Sequence, residues 1–290
     1  MRQLTLFSPA KLNLFLHITG KRADGYHDLQ SVFRAIDFGD ELHFECDNQA
    51  GLVCLTGATH LTADIKDNLI IKAANALAEY ADIQTPATNI TLTKRLPTGA
   101  GIGGGSSNAA TTLIALNQLW QTHLDTDTLI NIGASIGADV PFFIFAHHRC
   151  PDAIVTGIGE KLDAIKLPSH RYLLLLPDEH AATANFFAQP NLQKNCAYID
   201  ELHQKTDQFC HRLSQDFVNV FEPIAVSISP KIAQALSYLQ QLEPISNTTA
   251  RLSGTGSTVF LPIGHKIDDD TLAQWQKNAP CRSVIAHSLK

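Results

Sequence analysis

Residues 97–108, Pro97-Thr-Gly-Ala-Gly-Ile-Gly-Gly-Gly-Ser-Ser-Asn108, hold the local pattern best suited to chemistry. Five of the seven residues from Gly99 to Gly105 are glycine. That costs backbone entropy unless the chain there needs conformations or close approaches that a side chain forbids. The run opens into an apolar segment, Ser106–Trp120, that reads as a helix. A helix start offers unpaired amides and the positive end of its dipole to an anion. Ser106 and Ser107 can cap that helix and also donate hydroxyls to phosphate oxygens. From Ile83 to Leu124 there is no Asp or Glu, although carboxylates are favoured in a helix's first turn. With Lys94 and Arg95 just upstream, this start suits a negative charge brought from outside, a polyphosphate above all. The plain alternative is a tight turn feeding a glycine-packed helix.

Two familiar phosphate motifs do not fit their context. Gly99-x-Gly101-x-x-Gly104 satisfies the dinucleotide fingerprint literally. That fingerprint belongs after the first strand of a βαβ unit, with an acidic strand end about 20 residues on. Here it lies near residue 100, and Asp125 and Asp127 sit in a turn opening another helix. A P-loop needs Gly-Lys-Ser/Thr, and this loop contains no lysine.

The elements around the loop read as follows. Leu4, Leu6, Ser8, Ala10, Leu12, Leu14, Leu16 and Ile18 occupy every second position, a strand period with one face toward a core. Lys11 and Asn13 fall on the other face, ~7 Å apart. Gly20–Gly25 is turn chemistry before a second strand, Tyr26–Ile36. Asp67–Tyr80 predicts a helix capped by Asp67 or Asn68, and Ile90–Lys94 a strand ended by Pro97. A helix over Asp127–Ser135 ends near Gly137, and a short apolar run, Val140–Phe145, follows. Beyond residue 155, Tyr172–Leu176 reads as a buried strand, helices fall near 195–214 and 230–242, and Arg251–Pro262 reads as strand, glycine turn, strand. Separate helices and alternating strands favour an α+β fold over a doubly wound sheet. The length of 290 residues suits two domains at about 150 residues each, divided as 1–155 and 156–290.

Composition narrows the class. Hydrophobic residues make up 44% and charged residues 17%, which excludes a disordered or charge-driven chain. A net charge of −6 argues against a broad nucleic-acid or anionic-membrane face. The six cysteines show no CxxC pair, and the thirteen histidines no HExxH spacing, so neither a disulfide framework nor a side-chain metal site is expected. The N-terminus does not read as a signal peptide. Leu173–Leu176, the longest aliphatic run, is far short of the ~20 residues of a membrane helix. The expectation is a cytoplasmic protein.

Three segments together resemble the GHMP small-molecule kinases, named for galactose, homoserine, mevalonate and phosphomevalonate. The glycine loop is similar to that family's P-x3-G-(I/L)-G-S/G-S-S signature. Pro9-Ala-Lys-Leu-Asn-Leu14 resembles its first motif and Leu252-Ser-Gly-Thr-Gly-Ser257 its C-terminal glycine motif. Ser8–Leu16, Gly25-Tyr-His-Asp-Leu29 and Gly137-Ala-Asp-Val-Pro141 narrow the resemblance to the branch whose acceptor is a cytidine-diphosphate polyol. That branch phosphorylates a 2-hydroxyl in non-mevalonate isoprenoid synthesis. Ala100 stands where the family favours glycine, and Ile102 where it favours leucine; neither removes a polar group.

The resemblance implies an N-terminal ATP-binding domain, a C-terminal substrate-binding domain, ATP as co-substrate, and Mg2+. It also supplies site residues. Phosphoryl transfer to a hydroxyl needs positioning, charge neutralisation and a group that handles the attacking hydroxyl. Asp139, held in a loop by Pro141 with Val140 extended, is expected to be the base or orienter, and Lys11 to stabilise the developing alkoxide. Singly, the first also reads as a loop cap and the second as a solvated strand lysine. Pro97, Gly99, Gly101, Gly103, Gly104, Gly105, Ser106, Ser107 and Asn108 would hold ATP, with Asn68, Leu69 and Lys94 lining the nucleotide. Asn13 and Thr183 would contact the polyol, and Tyr26, His27 and Phe187 would grip cytosine. Phe186 reads as core, and Tyr26 alone also reads as partly core. Gly254 and Gly256 would close over substrate phosphates, or form a hairpin turn. Without a lysine in the phosphate loop, cationic charge must come from the ion and from Lys11.

Other readings are a mevalonate, homoserine or sugar kinase of the same family, against which the Tyr26–His27 pair speaks, a non-catalytic nucleotide- or RNA-binding module, and a dinucleotide-dependent oxidoreductase. Small-molecule partners are expected, with no nucleic acid and no membrane, in a monomer or homodimer.

Overall fold

The computed structural model describes residues 1–58, 61–179, 186–206 and 216–290. They form two compact units. One comprises Met1–Ala10, Phe38–Thr98 and Gly103–Arg149, the other Lys11–Asp37, Gly99–Ile102 and Cys150–Lys290. Strands β1 (Arg2–Lys21) and β2 (His27–Ala50) pair with each other and contribute to both units. The units therefore interleave along the chain rather than meeting at residue 155. The apolar period of β1 continues in the sequence through Ala10 and Lys11, but its exposure does not: up to Pro9 exposed and covered residues mix, and from Ala10 to Ile18 every residue is buried.

In the first unit β3 (Val53–Thr56) runs parallel to β4 (Pro86–Thr93), and β4 pairs antiparallel with the second half of β2, Leu42 opposite Leu92 and Phe44 opposite Ile90. These four residues are buried. Its helices are α1 (Leu69–Tyr80), α2 (Gly104–Leu119), α3 (Thr126–Ile136) and α4 (Val140–His148), with α1 packed on α2, α3 on α4, and α2 on α4. Val140–Phe145 turns out to be the buried body of α4. A helix covered on all sides has no apolar stripe to announce it. Val140 is accordingly helical rather than extended: Pro141 sits in the first turn, where a missing N–H leaves no bond unmade.

In the second unit the first half of β2 pairs with β5 (Asp152–Gly157), which pairs with β6 (Lys161–Ala164). Strands β7 (Arg171–Leu176), β8 (Arg251–Leu252), β9 (Val259–Ile263) and β10 (Arg282–His287) form an antiparallel sheet in the order β10-β7-β9-β8. Helices α5 (Glu222–Ile228), α6 (Pro230–Ser246) and α7 (Asp269–Asn278) belong to the same unit. Leu173, Leu175, Phe186, Phe221, Leu239 and Leu261 share its core. Arg34 is fully buried, bonded to both Asp152 oxygens at 2.7 and 2.8 Å and to the Tyr172 hydroxyl at 3.0 Å. It thus ties β2, β5 and β7 by a charge pair that is costly to break from one side.

The helix expected near 195–214 is not found over 195–201. Cys196 N–H donates to Ile18 O, and the buried Gln30 amide bonds both N–H and C=O of Ile199 at 2.8 Å. These long-range bonds hold the segment straight. A single 3-10 turn covers Leu202–Gln204, and residues 207–215 lie outside the described residues. No helix of the described residues is long and apolar enough to cross a membrane.

Candidate active site

In the first unit the loop delivers an open helix start. Gly103 is the N-cap of α2 in left-handed backbone, φ 75°, and no side chain caps the helix. The expectation that Ser106 and Ser107 would cap it is overturned, because both lie within the first helical turn. Gly104, Gly105 and Ser106 are the first three amides, and the bond from Ser107 N–H to Gly103 O begins the helical ladder. No acidic residue occupies the turn. Gly103–Ser106 are partly or fully exposed, whereas Ser107 and Asn108 are buried. Ser8 Oγ lies 2.8 Å from both Ser107 Oγ and Asn108 Oδ1, so these two side chains anchor the helix start from beneath.

The residues assigned to the nucleotide gather at this start. A Cβ on Gly105 would lie 3.4 Å from Leu69 Cδ1, and one on Gly104 3.4 Å from Lys94 Nζ. Asn68 caps α1, its side chain accepting from Ile70 N–H at 3.0 Å. Lys94 is paired at 2.7 Å with buried Asp40, which also accepts from the amides of Arg95 and Leu96. Its charge is therefore largely neutralised within the protein. Ser8 reads from sequence only as an alternating strand position and Asp40 carries no signal there, although each is a polar residue at a buried strand position.

Asp139 occupies the N-cap position of α4, with helical backbone and no side-chain capping bond. It is half-buried. The loop-cap reading would require that missing bond. The turn it closes lies beside the α2 start, since a Cβ on Gly137 would sit 3.9 Å from Ser106 Oγ. The first unit thus brings a carboxylate-bearing turn next to the proposed phosphate seat.

In the second unit Lys11 is 3% exposed and Asn13 is buried, so Lys11 is no solvated strand lysine. Its Nζ bonds Asn13 Oδ1 and stands 4.4 Å from the centre of the Phe33 ring, a favourable cation–π distance. Asn13 Nδ2 reaches Ser31 Oγ at 3.3 Å, and Asn13 N–H reaches Ser253 Oγ at 3.2 Å. The second glycine motif is a turn between antiparallel β8 and β9. It is stacked on the first loop: Thr258 N–H donates to Ala100 O, and Ser253 Oγ to Gly101 O. A Cβ on Gly256 would fall 1.9 Å from Gly101 N, so glycine is needed there for packing.

His27 and Phe187 also meet, ring centres 5.2 Å apart and planes at 31°. Tyr26 is 61% exposed and not part of the core. His27 Nε2 is buried without a hydrogen-bond partner among the described residues. Burial, with Lys194 and Lys21 nearby, pushes the imidazole below its ordinary range and keeps it neutral. A neutral ring with an unused nitrogen beside the Phe187 ring is equipped to read the polar edge of a base. Phe186 is in the core as expected, and Thr183 lies outside the described residues. A cavity of about 420 Å³ along β5 and β6, bordered by Thr156, Asp163 and His203, contains none of the assigned residues.

Residues 68–147, from the α1 cap to the end of α4, match the family model described as GHMP kinases N terminal domain. A protein of Psychrobacter arcticus named 4-diphosphocytidyl-2-C-methyl-D-erythritol kinase is 47% identical, over 99% of this chain and 97% of its own. One of the same name from Acinetobacter baylyi is 41% identical over 97% and 94%. The crystal structure of a 4-(cytidine 5'-diphospho)-2C-methyl-D-erythritol kinase superposes with a TM-score of 0.80 at 26% identity, covering 99% of this chain and all of the other. The chain belongs to the 4-diphosphocytidyl-2-C-methyl-D-erythritol kinase family.

Proposed function

We propose that the protein transfers the γ-phosphoryl group of ATP to the 2-hydroxyl of 4-diphosphocytidyl-2-C-methyl-D-erythritol, in the non-mevalonate route to isoprenoids. The hydroxyl oxygen forms the new bond to phosphorus, the bond from phosphorus to the β–γ bridging oxygen breaks, and ADP leaves. The observation that carries this reading is the α2 start, uncapped, free of carboxylates and adjacent to the turn bearing Asp139. The amides of Gly104, Gly105 and Ser106 bind phosphate oxygens there. Asp139 orients the acceptor hydroxyl and receives its proton. Lys11, with little water to screen it, stabilises the developing alkoxide, and Asn13 fixes the ammonium. Tyr26 and Phe187 stack on cytosine while neutral His27 bonds its edge.

Magnesium enters as part of the substrate. No group of three His, Cys, Asp or Glu that could hold an ion occurs among the described residues. The five cysteines described as free suit a reducing compartment, the cytoplasm.

ADP release measured with 4-diphosphocytidyl-2-C-methyl-D-erythritol, mevalonate, homoserine and galactose tests this reading. Turnover with the cytidine substrate alone is expected. Preference for another acceptor, or NADH binding in a control titration, would overturn it.

A further inference from the structure

Asn219, buried on the segment before α5, holds the second glycine turn from one side. Its Nδ2 donates to Leu252 O and to Gly254 O, both at 2.8 Å, and its Oδ1 accepts from Phe221 N–H at 3.0 Å. Both amide protons are therefore committed to carbonyls of one turn. Glu222, three residues on, accepts from Leu252 N–H at 2.7 Å. A trans peptide is planar, with its C=O and N–H opposed. Holding the Gly254 carbonyl toward Asn219 thus directs the Thr255 N–H the other way. Gly254 has φ +60°, and a Cβ there would lie 3.2 Å from Asn13 Oδ1, the atom bonded by Lys11. Asn13 N–H is also tied to Ser253 Oγ of the same turn.

We propose that Asn219 is a positioning residue: by fixing the Gly254–Thr255 peptide it sets the turn against which Asn13 and Lys11 are aligned for phosphoryl transfer. This rests on the kinase reading above. Asn219→Asp removes both donors while keeping the acceptor for Phe221 N–H, and so preserves Phe221, on which the Phe187 ring packs at 5.0 Å.

Steady-state kinetics of Asn219→Asp test the inference. A loss of about 10- to 100-fold in kcat is expected from two lost buried hydrogen bonds, with KM for the cytidine substrate unchanged. The ratio of variant to wild-type kcat should rise as pH falls, because a protonated carboxyl regains one donor. A folded variant with wild-type kcat, or a pH-independent ratio, would overturn the inference while an active wild type leaves the kinase reading standing. A wild type that releases no ADP would overturn both. If the variant does not fold, hydrogen exchange of the wild-type Thr255 amide decides: slowing on binding ADP with the cytidine substrate supports the role, and unchanged exchange contradicts it.

Discussion

Two pairs of helix starts in the first unit are built on opposite plans. Helix α1 is capped by Asn68 and α3 by Asp125, each side chain accepting from an amide of its own first turn. Helices α2 and α4 begin at Gly103 and Asp139 with no side-chain cap. One orphan amide at the start of α1 and one at α3 is satisfied by a side chain, whereas α2 has no such cap, and Asp139 keeps its carboxylate out of the capping role. Helices α2 and α4 pack on each other, and Ser106 lies beside Gly137. Within the first unit, then, α1 and α3 carry a side-chain cap, and α2 and α4, which meet at the proposed phosphate seat, do not.

The sharpest way to break this contrast is at α4. Asp139→Asn should lower turnover by about 10²–10⁴, the range for losing a general base; full activity would assign Asp139 to structure. At α2, Gly105→Asp gives that helix the carboxylate it lacks, at a position where a Cβ meets only Leu69 Cδ1 at ordinary distance. It should raise KM for ATP severalfold through like-charge repulsion at the helix start. A similar KM would place the triphosphate elsewhere.

Smaller effects are expected outside the pair. Tyr26→Ala should raise KM for the cytidine substrate but not for ATP, by the fold-change of ~1–3 kcal/mol of base stacking; equal effects on both would remove the cytosine assignment. Because the His27 imidazole is held below its ordinary range, it gains its proton only at more acidic pH. The same KM should therefore stay flat through neutral pH and rise below the usual imidazole range. Asp125→Ala at α3 should lower the denaturation midpoint slightly by removing the cap on Thr128 N–H and leave both KM values alone.

Local features were legible in the sequence where the signal is local. The Asn68 cap, the β1 alternation and the glycine loop all depend on neighbours within a few residues. Three things were not. Val140–Phe145 is buried on every side, so its helix has no period to read. The 195–201 segment owes its shape to Ile18 and Gln30, far away in sequence. The interleaving of the units arises because β1 and β2 each serve both, which no change of composition records. Candidate residues were named by type or by resemblance, and their partners were not: that Lys94 is bound to Asp40, Ser107 to Ser8 and Lys11 to Asn13 follows only from the folded chain.

Amide hydrogen exchange across Gly103–Ser106, measured with and without a saturating non-hydrolysable ATP analogue and Mg2+, bears most directly on the phosphate seat at α2. The account predicts that exchange at Gly104, Gly105 and Ser106 slows strongly while the capped start of α3 is unchanged. Saturated binding with those three amides exchanging as before would contradict it.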